Sequence, residues 1–175
     1  VNVRPKFLPE SWYGYDSVKL LIMRAAALRE LRERQFRALT RWIKQGGYLV
    51  TTAGLNYGSL LEKRIQHILP INVFGHKRLF ELKSLTSFCS QPLISDRPFL
   101  VLNVRIDHSN LLAKEKDIPL IIQKNLGFGQ IIFLSFDYST PPFSRWDGRR
   151  FFWDKILTIR PLVDDPEWAG KLAEA

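Results

Sequence analysis

Apolar positions in this chain fall into short unbroken runs and one long stripe. VKLLIM, residues 18–23, is apolar except at Lys19, the pattern of a strand buried on both faces. From about residue 28 to residue 45 the apolar side chains Leu28, Leu31, Phe36, Leu39, Trp42 and Ile43 recur at helical spacing. The Gly46–Gly47 pair ends that helix. Residues 48–53, YLVTTA, form a second β-rich run, so 18–53 predicts a strand, helix, strand unit with a right-handed parallel crossover, the signature of an α/β layered fold.

Beyond the turn that follows, the pattern changes. Ser59 and Glu62 in SLLE have capping-box spacing, which predicts a helix over 60–69 stopped by Pro70. Residues 71–96 are mixed, with INVF and LFELKSLTSF as candidate strands around Gly75. FLVLNVRI (99–106) and IPLIIQKN (118–125) read as strands, and LGFG turns the second of them back into QIIFLSF as an antiparallel hairpin. FFWDKIL (151–157) reads as a short amphipathic helix. Pro5, Pro9 and Gly14 break residues 1–16 into loop, and 161–175 reads as a tail or linker, leaving 1–160 as one domain.

Composition narrows the picture modestly. The 175 residues are 46% hydrophobic and 13% aromatic, enough for one sizeable core. Twenty-six Lys and Arg against seventeen Asp and Glu give a net charge of +9, a balance that favours polyanions such as nucleic acid, anionic lipid or acidic glycans. The single cysteine, Cys89, rules out an internal disulfide and a cysteine-rich metal site. No apolar run approaches the roughly 18 residues of a membrane span.

LPESWYGYDSVKLLIM, the helix ending in WIKQGGYLVTTAG, and IPLIIQKNLGFGQIIFLSFDYSTPPFSRW together resemble the class I glutamine amidotransferase-like domains of uncharacterised bacterial membrane-anchored proteins. The resemblance covers most of the chain. It implies a flavodoxin-like three-layer sandwich with a mainly parallel sheet and an antiparallel hairpin in the C-terminal half. It also implies a soluble periplasmic domain of a membrane-anchored protein, with a cytoplasmic location as the alternative. In that wider group the turn after YLVTT holds a cysteine nucleophile completed by a histidine and a glutamate.

This sequence departs from that pattern at the decisive position. Thr51, Thr52, Ala53 and Gly54 stand where a thiol would sit at a helix N-terminus, and Cys89 lies far downstream in a segment with no elbow pattern. No base is spaced to activate Thr52 in its place. GFG (127–129) opens a strand rather than a helix, so it is not a dinucleotide loop. His67, His76 and His108 are scattered, with no metal-ligand spacing, and adjacent Asp107 and His108 would point to opposite faces of a strand. The expectation is a pseudoenzyme with no catalytic residue, metal or cofactor, acting as a binding or interaction module. The alternative is a hydrolase-type enzyme using the strand-end pocket around Thr52 and Asp137.

Two surfaces carry the binding expectation. Ligands of open α/β sheets lie beyond the carboxyl ends of the parallel strands, which gathers Arg24, Thr51, Thr52, Gly54, Asn56 and Asp137, with the helix start at Ser59 adding free N–H groups. Arg34, Arg37, Arg41 and Lys44 form a basic stripe opposite the apolar helix face. Glu30 and Glu33 are spaced to answer Arg34 and Arg37, leaving Arg41 and Lys44 uncompensated for contact with an anionic lipid surface. No motif supports sequence-specific nucleic-acid binding. Residues 1–16 offer at most a short strand, NVR, so the first β-α unit is expected to be missing upstream. The open sheet edge this leaves, or the aromatics Trp12, Tyr13 and Tyr15, would pair with another domain or a second copy.

Overall fold

Strands β1 (Leu20–Arg24) and β2 (Tyr48–Thr52) lie side by side in parallel, with Leu20 against Tyr48 and Arg24 against Thr52. The structure, a computed structural model, describes residues 3–52, 54, 57–69, 71–106 and 109–161. The link between these strands is two helices rather than one, α1 (Ala25–Arg29) and α2 (Glu33–Lys44). The chain bends at residues 30–32, and the Arg32 N–H donates to Gln35 Oε1 to start α2. Gly46, at φ +112°, ends it in a conformation that a Cβ disfavours.

The second half is built from hairpins. The strands β3 (Ile71–Leu79) and β4 (Phe99–Ile106) pair antiparallel as a separate two-stranded ribbon, with helix α4 (Lys83–Cys89) between them in sequence. Residues 83–89 are therefore helical, not the strand expected from LFELKSLTSF. Strand β5 (Asn110–Glu115) is one the sequence pattern did not reveal, and its hairpin to β6 (Ile118–Leu126) turns at Lys116, φ +53°. A second hairpin at Gly127 leads into β7 (Gly129–Leu134), as expected. The last of the described helices is α5 (Arg149–Thr158), and a short helix α3 (Lys63–Ile68) follows the 3-10 turn Tyr57–Leu61. The capping box expected at Ser59 is not formed: α3 starts later, and the buried Ser59 hydroxyl has no hydrogen-bond partner.

The main sheet has the order β1-β2-β7-β6-β5, with β1, β2 and β7 paired in parallel and β6 antiparallel to both its neighbours, β7 and β5. This corrects the flavodoxin-like three-layer expectation: the sheet is mixed, a separate ribbon interrupts the layering, and the described helices number five, three of them under eight residues. The reason lies in the connections. A parallel return needs a crossover of about a dozen residues or more, whereas β5, β6 and β7 are joined by turns of two residues, which can only reverse the chain.

Side chains alternate between two cores. Leu49, Ile131 and Phe133 pack with Phe36, Leu39, Trp42 and Ile43 of α2, while Val50, Ile132 and Leu134 pack with Phe152 and Ile156 of α5 and with Leu85 of α4. All six residues of β7 are buried, which makes it the structural centre of the sheet. Tyr15, expected on the surface, is buried and stacks on Trp42 with ring centroids 5.4 Å apart.

Candidate functional site

At the carboxyl ends of β2 and β7 the Thr52 hydroxyl and the Asp137 carboxylate are both engaged in hydrogen bonds. The buried Thr52 hydroxyl donates to the Phe136 carbonyl, tying the end of β2 to the segment beyond β7. Thr51 points to the other face, where its buried hydroxyl finds no partner. Asp137 Oδ1 accepts from the Ser139 N–H at 2.9 Å and from the Ser139 hydroxyl at 2.5 Å, a local turn. Burial pushes the Tyr138 phenol up, with Asp137 adding to the shift and Arg24 opposing it. Arg24 itself is exposed at the end of β1.

Among the described residues, two of the expected strand-end residues share a cleft. Gly54 and Asp137 line a small cleft of about 70 Å³ together with His76, Ser135 and Thr140. His76, which sequence spacing had set aside, reaches it from β3, its ring edge-on to Tyr57 at 5.0 Å. Ser59 lines a different hollow, beside Arg29 and Glu30. Ala53, Asn56, Asp107 and His108 lie outside the described residues. Cys89 is buried in α4, its Sγ 3.0 Å from the Leu85 carbonyl, and burial pushes its thiol up, away from the reactive thiolate. Among the described residues no cluster of three or more His, Cys, Asp or Glu side chains could hold a metal.

The basic stripe is a different case. Arg34, Arg37, Arg41 and Lys44 are all exposed on α2, and the last three face α3 across an open groove of about 580 Å³. Across it α3 contributes the cations Lys63 and Arg64 and the imidazole of His67, a grouping the sequence reading missed. Their signal was present, since Lys63 and His67 stand one helical turn apart. The floor is Phe36 and Ile68, both buried.

Part of this charge is answered. Glu33 stands 3.5 Å from Arg37 and 3.7 Å from Arg64, and Glu62 accepts from Arg64 at 2.6 Å. Arg64 also donates to the carbonyls of Leu31 and Arg29 and packs over the Phe36 ring, so it acts as a strut between α3 and the α1–α2 bend. Glu30, expected to pair with Arg34, falls in that bend, off the helix carrying Arg34. Among the described residues Arg41, Lys44 and Lys63 have no carboxylate within ion-pair distance. Arg41 instead lies over the Trp12 ring, 5.3 Å from its centroid. Three uncompensated cations and a histidine around one concavity make a site for negative charge.

No family profile matches the sequence, and no curated protein matches it. Solved structures do share its fold. A cytoplasmic protein of Salmonella typhimurium LT2, STM1381, superposes with a TM-score of 0.63 at 16% identity, over 89% of this chain and 77% of that one. Cytoplasmic protein STM3548 of Salmonella typhimurium gives 0.63 at 15%, over 87% and 76%. The N-terminal domain of mmIFT52 gives 0.51 at 13%, over 85% and 80%. These neighbours overturn the glutamine amidotransferase-like assignment, and the membrane-anchored context drawn from that resemblance loses its ground with it. Among the described residues no helix is long and apolar enough to cross a membrane. At such identities the likeness is one of fold: this chain has the architecture of the two Salmonella proteins over most of its length.

Proposed function

We propose that this chain is a non-catalytic binding module that takes an anionic partner in the groove between α2 and α3. One observation carries the reading: Arg41, Lys44 and Lys63, none of them matched by a carboxylate, line one concavity with His67. Exposed cations separated by more than about 10 Å are screened at ordinary salt, so gathering them on two facing helices is what lets them act on one ligand. No cofactor is needed for such a role. The similar Salmonella proteins are described as cytoplasmic, and we place this chain there too.

A hydrolase working around Thr52 and Asp137 has less in its favour. The Thr52 hydroxyl is buried and committed to the Phe136 carbonyl, and the Asp137 carboxylate is held by Ser139. Self-association keeps one supporting observation: β1 is a sheet edge, and among the described residues its only strand partner is β2.

The test of the groove is titration of a fluorescent polyphosphate of defined length against the protein at several salt concentrations. Binding that weakens with salt, and that Arg41→Glu with Lys44→Glu reduces by about tenfold or more, is the expected result. Equal binding by the double variant would make the groove a solvated face.

A further inference from the structure

The basic groove has an aromatic border that bears on what it binds. Residues 4–15 run along the flank of α2, where the buried Gln35 amide donates to the carbonyls of Leu8 at 2.8 Å, Pro5 at 3.2 Å and Lys6 at 3.3 Å. Arg32 adds an ion pair with Glu10 at 3.1 Å. This anchoring holds two large rings in water: Phe7 is 68% exposed and Tyr13 63%. Tyr13 meets Trp12 edge-on with centroids 6.0 Å apart, and Trp12 in turn lies under Arg41, so these two rings adjoin the cationic stripe, while Phe7 stands beside a further cation, Lys6, 4.9 Å from its centroid.

Single exposed apolar residues are ordinary; two rings fixed beside uncompensated cations are a different arrangement. Aromatic rings next to Lys and Arg are the composition of surfaces that settle at the headgroup level of a bilayer, the rings entering the acyl boundary and the cations meeting phosphate. Nucleic acid offers the same phosphate chemistry but would use ring faces for base stacking. Here one face of Trp12 is taken by Arg41, and Lys6 sits 4.9 Å from the Phe7 centroid. Charge complementarity with an anionic leaflet therefore comes together with rings placed for insertion.

We infer that the anionic partner is a phospholipid surface, docked by Arg41, Lys44 and Lys63 and entered by Phe7 and Tyr13. This rests on the groove reading above, and the two can fail separately. The experiment is co-sedimentation of the whole chain with phosphatidylserine-containing vesicles, with pure phosphatidylcholine vesicles as the neutral control and polyphosphate and single-stranded RNA as soluble probes. Wild type is expected on the anionic vesicles only. Phe7→Ala with Tyr13→Ala should weaken vesicle binding by about tenfold or more while leaving polyphosphate binding unchanged, since burying each ring in the acyl boundary contributes to partition and not to charge. Arg41→Glu with Lys44→Glu should weaken both.

Undiminished vesicle binding by the ring variant would overturn the insertion. Binding to RNA or polyphosphate without binding to vesicles would overturn the lipid assignment and leave the groove standing. Failure to bind any of the anionic probes would remove both readings. All four positions are exposed, and circular dichroism checks that each variant folds.

Discussion

Gly129, the first residue of β7, packs directly on Gly47: a Cβ at Gly129 would stand 2.2 Å from the Gly47 carbonyl oxygen and 2.0 Å from that of Ile43. The Gln130 N–H donates to that Gly47 carbonyl, and the Phe128 N–H to the Lys44 carbonyl. The GG before YLVTT and the GFG before QIIFL are thus two halves of one joint, in which a hairpin presses on the C-terminal end of α2. Their glycines serve close backbone approach, and no nucleophile is mounted there.

Gly129→Ala is accordingly expected to destabilise the fold by roughly 2–3 kcal/mol, because backbone atoms on both sides must move. Denaturant unfolding measures it. A change below about 0.5 kcal/mol would mean that the joint tolerates a methyl group and is looser than described.

Thr51 and Thr52 are neighbours with opposite expectations. Thr51→Val replaces a buried, unpartnered hydroxyl by a methyl group of similar shape and should leave stability unchanged or raise it by about 1 kcal/mol. Thr52→Val removes the donor to the Phe136 carbonyl and should cost about 1–2 kcal/mol. Thermal unfolding of the pair decides it, since equal shifts of the same sign would contradict this division of roles.

Tyr15 carries a pH dependence. Burial pushes its phenol from 10.0 up to about 12, and its hydroxyl has no partner. A raised native pKa means that the unfolded chain ionises first, so stability is full below pH 10 and is lost as pH rises from about 10 to 12. Tyr48, also raised by burial, adds to the loss. Tyr15→Phe should keep the fold, raise its neutral-pH stability by about 1 kcal/mol, and flatten the alkaline decline. An unchanged slope between pH 10 and 12 would show that Tyr15 ionisation does not drive it.

Gln35→Leu would leave the carbonyls of Pro5, Lys6 and Leu8 without their donor. Residues 4–15 should then detach more readily, seen as faster limited proteolysis there and a stability loss of roughly 1–3 kcal/mol. Proteolysis at the wild-type rate would indicate that Tyr15 on Trp42 is the real anchor of this segment.

Local patterns told much of this protein in advance. The apolar runs at 18–23 and 48–53 and the stripe of Phe36, Leu39, Trp42 and Ile43 gave β1, β2 and α2, because a helix or strand buried on a known face leaves its period in the sequence. The LGFG turn located the β6–β7 hairpin, and spacing alone placed Arg37, Arg41 and Lys44 on one surface. The strand β5, with residues of intermediate burial and two register shifts, left no clean period to read. Likewise LFELKSLTSF is apolar enough for either a strand or a helix, and packing of Leu85 and Cys89 into the α5-side core decided it.

What only the tertiary structure settled are relationships between distant segments. Sheet order depends on how short turns force strands to return, which makes this sheet mixed where a resemblance to parallel folds implied otherwise. The groove depends on α3 docking across from α2, bringing Lys63 to Arg41 and Lys44 although about twenty residues separate them in the chain. Sequence spacing alone leaves Thr52 without a base to activate it, and only the fold shows that its hydroxyl donates to the Phe136 carbonyl, far along the chain. The physical reason is common to all three: a side chain's chemistry is set by the groups that desolvate and bond it, and those come from elements whose meeting no local periodicity encodes.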